Sequence, residues 1–370
     1  MPPSEPLVSI IIGNYNYERF VTQAVESALA QTYPAVEVVV VDDGSTDGSR
    51  ALLEPYRDRV RLIFKSNGGA TSTLEAGWAQ ATGEIIMFLD ADDMLRPDAV
   101  AAIVAAWTPD RVKVQFPLTV IDAEARPLGF VPAATRPLDD ARIRDLLRRH
   151  GIYPTPPTSG NAYARRFVAA LFPLDRRRFP IGVDGALNAV APLYGSVVSL
   201  GTSLGYYRVH GNNMWAGAPL DANRFGAYIA VGRDEARFLA EHAERQGFAL
   251  DPVDPLDHSL VFLERRLALR KLAPTHPMAR EDSALRLFLC ACRCAGTNER
   301  GLVRAAVALA WFAMAAAAPR ALALRVLAYR YVPGARPVLI ERMARCIRRP
   351  ENRPERPVSR ATYPAKRRAG

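Results

Sequence analysis

Three carboxylates stand within four residues at Asp90-Ala91-Asp92-Asp93, directly after the apolar run IIMFL of residues 85–89. Carboxylates this close repel one another unless positive charge sits between them. A hard divalent cation supplies that charge and takes oxygen ligands, with Mg2+ completing its shell from water and substrate phosphates. The alternative from the same residues is an acidic turn, or a helix cap ahead of Pro97. Two further groups could bind a metal or move a proton. His210, taken alone, is a structural histidine as readily as a ligand. Asp184, in FPIGVDGALNAV, would cap a helix starting at Gly185 or Ala186. Cys290, Cys292 and Cys294 look like a metal cluster, but their spacing on a helical pattern does not converge on one face and no histidine is near. Buried thiols are expected there.

The elements that must carry these residues follow from hydrophobic pattern. Residues 7–12 (LVSIII), 36–41, 59–64 and 85–89 are short apolar runs rich in β-branched side chains, as buried parallel strands are. Helical patterns over residues 20–31 and 72–81 lie between them. Strand, polar loop and helix in repetition predict an α/β fold with a mainly parallel central sheet. The polar loops Gly13-Asn14-Tyr15-Asn16, Asp42 to Ser49 and Asp90 to Asp93 then fall at the carboxyl ends of strands, where such sheets bind ligands. Residues 112–207 read as mixed and loop-rich. After His210 strand signals vanish, and residues 222–245, 255–271, 283–295 and 302–327 read as helices.

Composition sets outer bounds. Half of the 370 residues are hydrophobic (49%) and 23% are charged, enough apolar material for two or three ordinary cores. Four cysteines are too few for a disulfide framework, which suits a reducing compartment. Residues 1–9 show no basic stretch followed by an apolar run, so no signal peptide is expected and the location inferred is cytoplasmic. Much of the net charge of +10 sits in residues 341–370, with ten Lys or Arg against three Glu. Such a tail suits a disordered, solvated segment, or peripheral attachment to the anionic inner face of a membrane; nucleic acid is not expected. The uncharged stretch of residues 305–318 falls short of the ~20 apolar residues that span a bilayer, and reads as a buried or interfacial helix.

Three stretches together carry a resemblance: VSIIIGNYNYERFVTQAVESALAQTYPAVEVVVVDDGSTDGS (Val8 to Ser49), SNGGATSTLEAGWAQATGEIIMFLDADD (Ser66 to Asp93) and YRVHGNN (Tyr207 to Asn213). In this order the chain resembles the nucleotide-sugar glycosyltransferases with a GT-A fold, specifically the large inverting family 2. The resemblance implies a GT-A domain over residues 1–215, followed by a helical region over 216–348 and a basic tail over 349–370. It implies transfer of a sugar from a nucleotide-diphosphate donor to a hydroxyl of a saccharide or lipid-linked saccharide, as in polysaccharide assembly, with Mn2+ or Mg2+ as cofactor.

It also implies roles residue by residue. Gly13, Asn14 and Tyr15 would line the nucleotide, Tyr15 by stacking on the base and Gly13 through its backbone. Asp43 would accept a hydrogen bond from the base, with Asp42 orienting the loop. Asn67 and Gly68 would approach the nucleotide closely. Asp90 would contact ribose or sugar, Asp92 would ligate the metal bridging the diphosphate, and Asp93 would support them or cap a helix. His210 would join the metal or diphosphate site, which favours Mn2+ over oxygen-seeking Mg2+; Arg208 would point to the opposite side of an extended segment. Asp184 would take the proton of the acceptor hydroxyl. The segment Pro156 to Asn161, with Gly160 and Asn161, lies where relatives build the acceptor pocket, although a tight turn fits it equally.

Two departures stand out. Relatives often carry Arg-Asn where this chain has Leu74-Glu75, and Glu-Asp where it has Val183-Asp184. These favour, as the rival, a non-catalytic nucleotide-sugar binder or scaffold of an assembly complex. A nucleotidyltransferase would want a glycine- and lysine-rich phosphate loop near residue 10, and none is present.

Overall fold

The computed structural model describes residues 5–128, 137–211, 213, 220–297 and 302–331. The described residues all fall within one compact unit. The expectations placed on the basic tail lie outside the described residues.

Among the described residues there are ten strands: β1 (Val8–Asn14), β2 (Val36–Asp42), β3 (Arg61–Phe64), β4 (Ile85–Asp90), β5 (Met94–Leu95), β6 (Arg111–Gln115), β7 (Leu118–Ile121), β8 (Asn161–Ala164), β9 (Ser196–Ser199) and β10 (Gly205–Arg208). Around them run α1 (Val21–Leu29), α2 (Ser49–Leu53), α3 (Gly69–Gln80), α4 (Ala99–Ala105), α5 (Asp140–His150), α6 (Arg165–Leu171) and α7 (Val183–Tyr194). Five helices follow: α8 (Ala222–Arg245), α9 (Leu260–Leu272), α10 (Ala284–Thr297), α11 (Leu302–Ala317) and α12 (Arg320–Tyr331).

The main sheet has the order β3-β2-β1-β4-β8-β6-β9. Its first four strands are parallel, while β8 runs antiparallel to both neighbours. Both faces are covered, which explains the unbroken apolar runs. Because successive side chains alternate, Ile10 and Ile12 of β1 enter the layer with Val21 and Val25 of α1, while Ile11 enters the opposite layer. β2 and β4 divide in the same way. Register then fixes the site: Asn14 pairs with Asp42, and Gly13 with Asp90, so three strands end side by side.

A second sheet, β5-β10-β7, brings the distant partners in. β5 follows the aspartate cluster, and β10 lies antiparallel to it with Tyr206 opposite Met94. The chain leaving β10 therefore passes the cluster at His210. The helices from α8 onward bury a separate core around Ile229, Leu263, Leu267 and Phe312, and α8 also adds Leu239 and Ala243 to a core layer of the sheet.

Three expectations are corrected. The stretch of residues 302–327 is two helices, broken at Pro319, whose missing N–H and ring cannot continue the ladder. Residues 112–207 hold more regular structure than a loop-rich reading allows, including α5 and α7. Cys290 and Cys294 are buried thiols, but Cys292 is exposed. On α11, Phe312 and Ala315 are buried while Val307 and Met314 face outward, and among the described residues no helix is long and apolar enough to cross a membrane.

Candidate active site

β4 ends at Asp90 and delivers the aspartates into a cluster, with one carboxylate oxygen of each within 4.8 Å of the others. Asp93 is neither exposed nor a helix cap. It is 1% exposed; Oδ2 accepts from Ser159 Oγ at 2.6 Å and Oδ1 from the backbone N–H of Arg208 at 2.9 Å. Burial, then the charges of Asp92 and Asp90, push its carboxyl well above the usual range. Asp90 is pushed up to about 8 by burial, then by Asp92 and Asp184. Asp92 Oδ2 accepts from His210 Nε2 at 2.9 Å and from Asn213 Nδ2 at 3.2 Å. No described group bonds Asp92 Oδ1.

His210 is thus brought to Asp92, not away from it. Its ring packs 4.8 Å from Phe20 and edge-on to Tyr17, and its backbone N–H donates to Asn213 Oδ1 at 2.9 Å. Arg208 turns the other way, as the extended geometry predicts. It is fully buried, with Nε on the Asp92 carbonyl at 2.7 Å, Nη2 on Gln23 at 2.8 Å, and its guanidinium over Phe20. It fixes the backbone under the cluster while its own N–H holds Asp93.

The segment Pro156 to Asn161 organises the carboxylates. A 3-10 turn over Thr158–Gly160 places Ser159 Oγ against both Asp93 and the Asp90 N–H, the latter at 3.1 Å. The nearby Thr158 hydroxyl favours the ionised forms of Asp90 and Asp184. Asn161 is buried, its amide donating to the Pro157 carbonyl at 2.8 Å, and Gly160 is packed tightly against Pro156 and the Phe116 carbonyl. Gly160 and Asn161 therefore build the turn, while Thr158 and Ser159 face the acids. Uncharged hydroxyls gave no signal of this beyond lying in a run of small polar residues.

On the other side of the sheet ends, Asn14 donates to Asp42 Oδ2 at 2.8 Å and Ser45 Oγ at 3.1 Å. Asp42 also accepts from Ser45 N and Arg50 Nε, so it orients the loop. Burial alone would raise its carboxyl, but bonds from Ser45, Arg50 and Asn14 outweigh burial and hold it low. Asp43 accepts from Lys65 Nζ and from the N–H groups of Gly68 and Gly69, each at 2.9 Å. One lone pair of its Oδ2 remains for a ligand. Tyr15 stands 45% exposed beyond β1. Gly13 faces Thr73 and Leu74, and the Asn67 backbone lies against Gly44. The departure at Glu75 also acquires a role: buried, it accepts from Leu174 N–H at 2.8 Å and from Arg176 Nε at 2.8 Å, pinning the loop that leads to α7.

Asp184 occupies the first turn of α7, behind a Gly182 N-cap with φ +78°, so it is not itself the cap. Burial raises its carboxyl; bonds from the Gly185 and Asp184 N–H groups and the charge of Lys113 oppose this without cancelling it. Lys113 is fully buried on β6, with Nζ donating to Gln115 Oε1 at 2.7 Å.

A family profile described as Glycosyl transferase family 2 matches residues 9–152. An uncharacterized glycosyltransferase of a Nostoc strain is 36% identical over 238 residues, covering 63% of this chain and 71% of that protein. TarS of S. aureus, solved with UDP-GlcNAc, is 16% identical with a TM-score of 0.48 over 88% of this chain and 91% of its own. The mannosyltransferase PcManGT of Pyrobaculum calidifontis, solved with GDP-Man and Mn2+, is 20% identical, TM-score 0.48, over 89% and 86%. With that profile and the Nostoc relative behind it, the chain belongs to glycosyltransferase family 2 and is a glycosyltransferase.

Proposed function

We propose that this enzyme transfers a sugar, with inversion, from a nucleotide-diphosphate donor to a hydroxyl of a saccharide or lipid-linked saccharide. One observation carries the proposal: Asp184, in the first turn of α7, lies outside the Asp90-Asp92-Asp93 cluster yet near enough for its charge to raise Asp90. A site that holds a diphosphate at one carboxylate group and a base at another needs this separation.

The donor set suits a hard divalent cation. Asp93 has both oxygens engaged by Ser159 and Arg208, which leaves Asp90 and Asp92 Oδ1 as oxygen ligands, with His210 beside Asp92. A bound Mn2+ or Mg2+ would neutralise charge gathering on the departing diphosphate. Tyr15, Asn14 and Asp43 would line the nucleotide, with Asn67 and Gly68 beside it. Asp184, raised toward neutrality yet held by N–H donors, is suited to take a proton. The acceptor oxygen bonds to the anomeric carbon as the bond from that carbon to the diphosphate oxygen breaks. The electron pair leaves with the nucleoside diphosphate, and the acceptor proton passes to Asp184.

The test is stereochemical. UDP- and GDP-sugars are first ranked by Mn2+-dependent thermal shift. Product formed from the best donor is then followed by NMR, and the first-formed anomer should be opposite to the donor's. Retained configuration would overturn the proposal.

A further inference from the structure

The carboxyl of Glu235, on α8, lies against the first turn of α7. A Cβ placed on Gly185 would fall 1.8 Å from Glu235 Oε1, and one on Gly182 4.0 Å from it. The carboxyl thus fills the space that a side chain at 185 would need, one residue from Asp184. With glycine at 185 the carboxyl can sit there without being displaced.

Folding gives no reason for a charge there. Among the described residues no donor hydrogen-bonds Glu235 and no cation pairs with it, although Asp234 beside it pairs with Arg237 at 3.2 Å and Glu241 with Arg178 at 2.8 Å. The titratable groups facing it are Asp184 from α7 and Tyr228 and Asp234 on its own helix, with Arg265 of α9 stacked on Tyr228. A carboxyl without partners beside a second carboxyl is costly unless one of them keeps its proton. Burial, then the Asp184 charge, push Glu235 up to about 8. Its protonated form, favoured in this way, is a hydrogen-bond donor standing beside Asp184.

We propose that Glu235 is the second carboxyl of the acceptor site, binding a hydroxyl adjacent to the one that Asp184 deprotonates. This rests on the assignment of Asp184 as base. It selects a polyhydroxyl acceptor, a saccharide, over an acceptor with a single hydroxyl. Glu235 keeps its proton throughout: Asp184 receives the proton of the attacking hydroxyl, while the neighbouring hydroxyl accepts a hydrogen bond from Glu235. This chain has Val183 beside Asp184, and Glu235 stands 51 positions beyond Asp184.

The test uses the full chain with Mn2+ and UDP or GDP, whichever binds, and saturation-transfer NMR with methyl glycosides of glucose, galactose, mannose and N-acetylglucosamine, with 1-butanol as the single-hydroxyl control. Wild type should bind at least one glycoside, more weakly as pH rises through about 8, and not butanol. Glu235→Ala should weaken that binding tenfold or more with nucleotide affinity unchanged. Glu235→Gln, which still donates, should stay within threefold of wild type and lose the alkaline decline. Equal glycoside affinity in Glu235→Ala and wild type, no glycoside binding by wild type, or equal binding of butanol would each overturn the inference. Asp184→Asn separates the two assignments: if it still transfers sugar, the base is misassigned, whereas Glu235 is judged by binding alone.

Discussion

At the ends of β1 and β2, Asp42 and Asp43 are met on all sides by the chain's own donors: Asn14, Ser45, Arg50, Lys65 and the N–H groups of Gly68 and Gly69. Beyond β4 and at the start of α7, the carboxyls of Asp90, Asp93, Asp184 and Glu235 are all pushed upward, with burial as the first cause in each. The first region is complete before any ligand arrives. The Asp42 carboxyl is held low by its donors, and what the region offers is a shaped loop with Tyr15 exposed at its rim. The second region holds more carboxyls than donors, so its acids lean toward the protonated form, and a cation entering the cluster would favour their ionised forms. Binding surfaces are preorganised by satisfied groups, whereas sites for charge and proton movement are built from unsatisfied ones.

Substitutions on the two sides should therefore differ in kind. The largest effect is expected at Asp184. Asp184→Asn should lower the transfer rate by about 10²–10⁴-fold, the usual reach of a general base, while UDP or GDP affinity by calorimetry stays within twofold. Loss of nucleotide affinity would merge the two regions into one. Asp42→Asn should act on stability instead, costing about 1–3 kcal/mol as a buried network loses a charged acceptor. Its folded carboxyl is held low, so the advantage of wild type should be full above about pH 4 and shrink as pH falls further. Denaturation at pH 7 and pH 3 checks this, and a gap that widens at pH 3 would contradict it.

How legible this was in the sequence varied with burial. β1, β2 and β4 were readable to within two residues because both faces are covered and most positions are apolar. The cluster at Asp90, Asp92 and Asp93 was readable because repulsion among adjacent acids has few remedies. His210 meets Asp92 across 118 positions, and its motif pointed there. The middle of the chain was harder. α5 carries Asp140, Arg142, Arg144, Asp145, Arg148 and Arg149 in eleven residues, and only Ile143, Leu146 and Leu147 are buried. β7, β8, β9 and β10 are four residues each, too short for alternation to register. Asp184 gave a local signal for the wrong position: it looks like an N-cap, but Gly182 adopts the left-handed conformation and starts α7 earlier. Glu235 gave none, since a helical glutamate is ordinarily solvated, and only the packing of α8 on α7 sets it beside Asp184.

The central claim is that a cation held beside Asp92 couples the chain to the diphosphate. Calorimetric titration of UDP and GDP into the full chain, in Mn2+ and then in excess chelator, measures that coupling directly. Affinity should fall at least tenfold in chelator, about 1.4 kcal/mol, and Asp92→Ala should show the weaker value in both buffers. Equal affinity for wild type with and without the metal would contradict it.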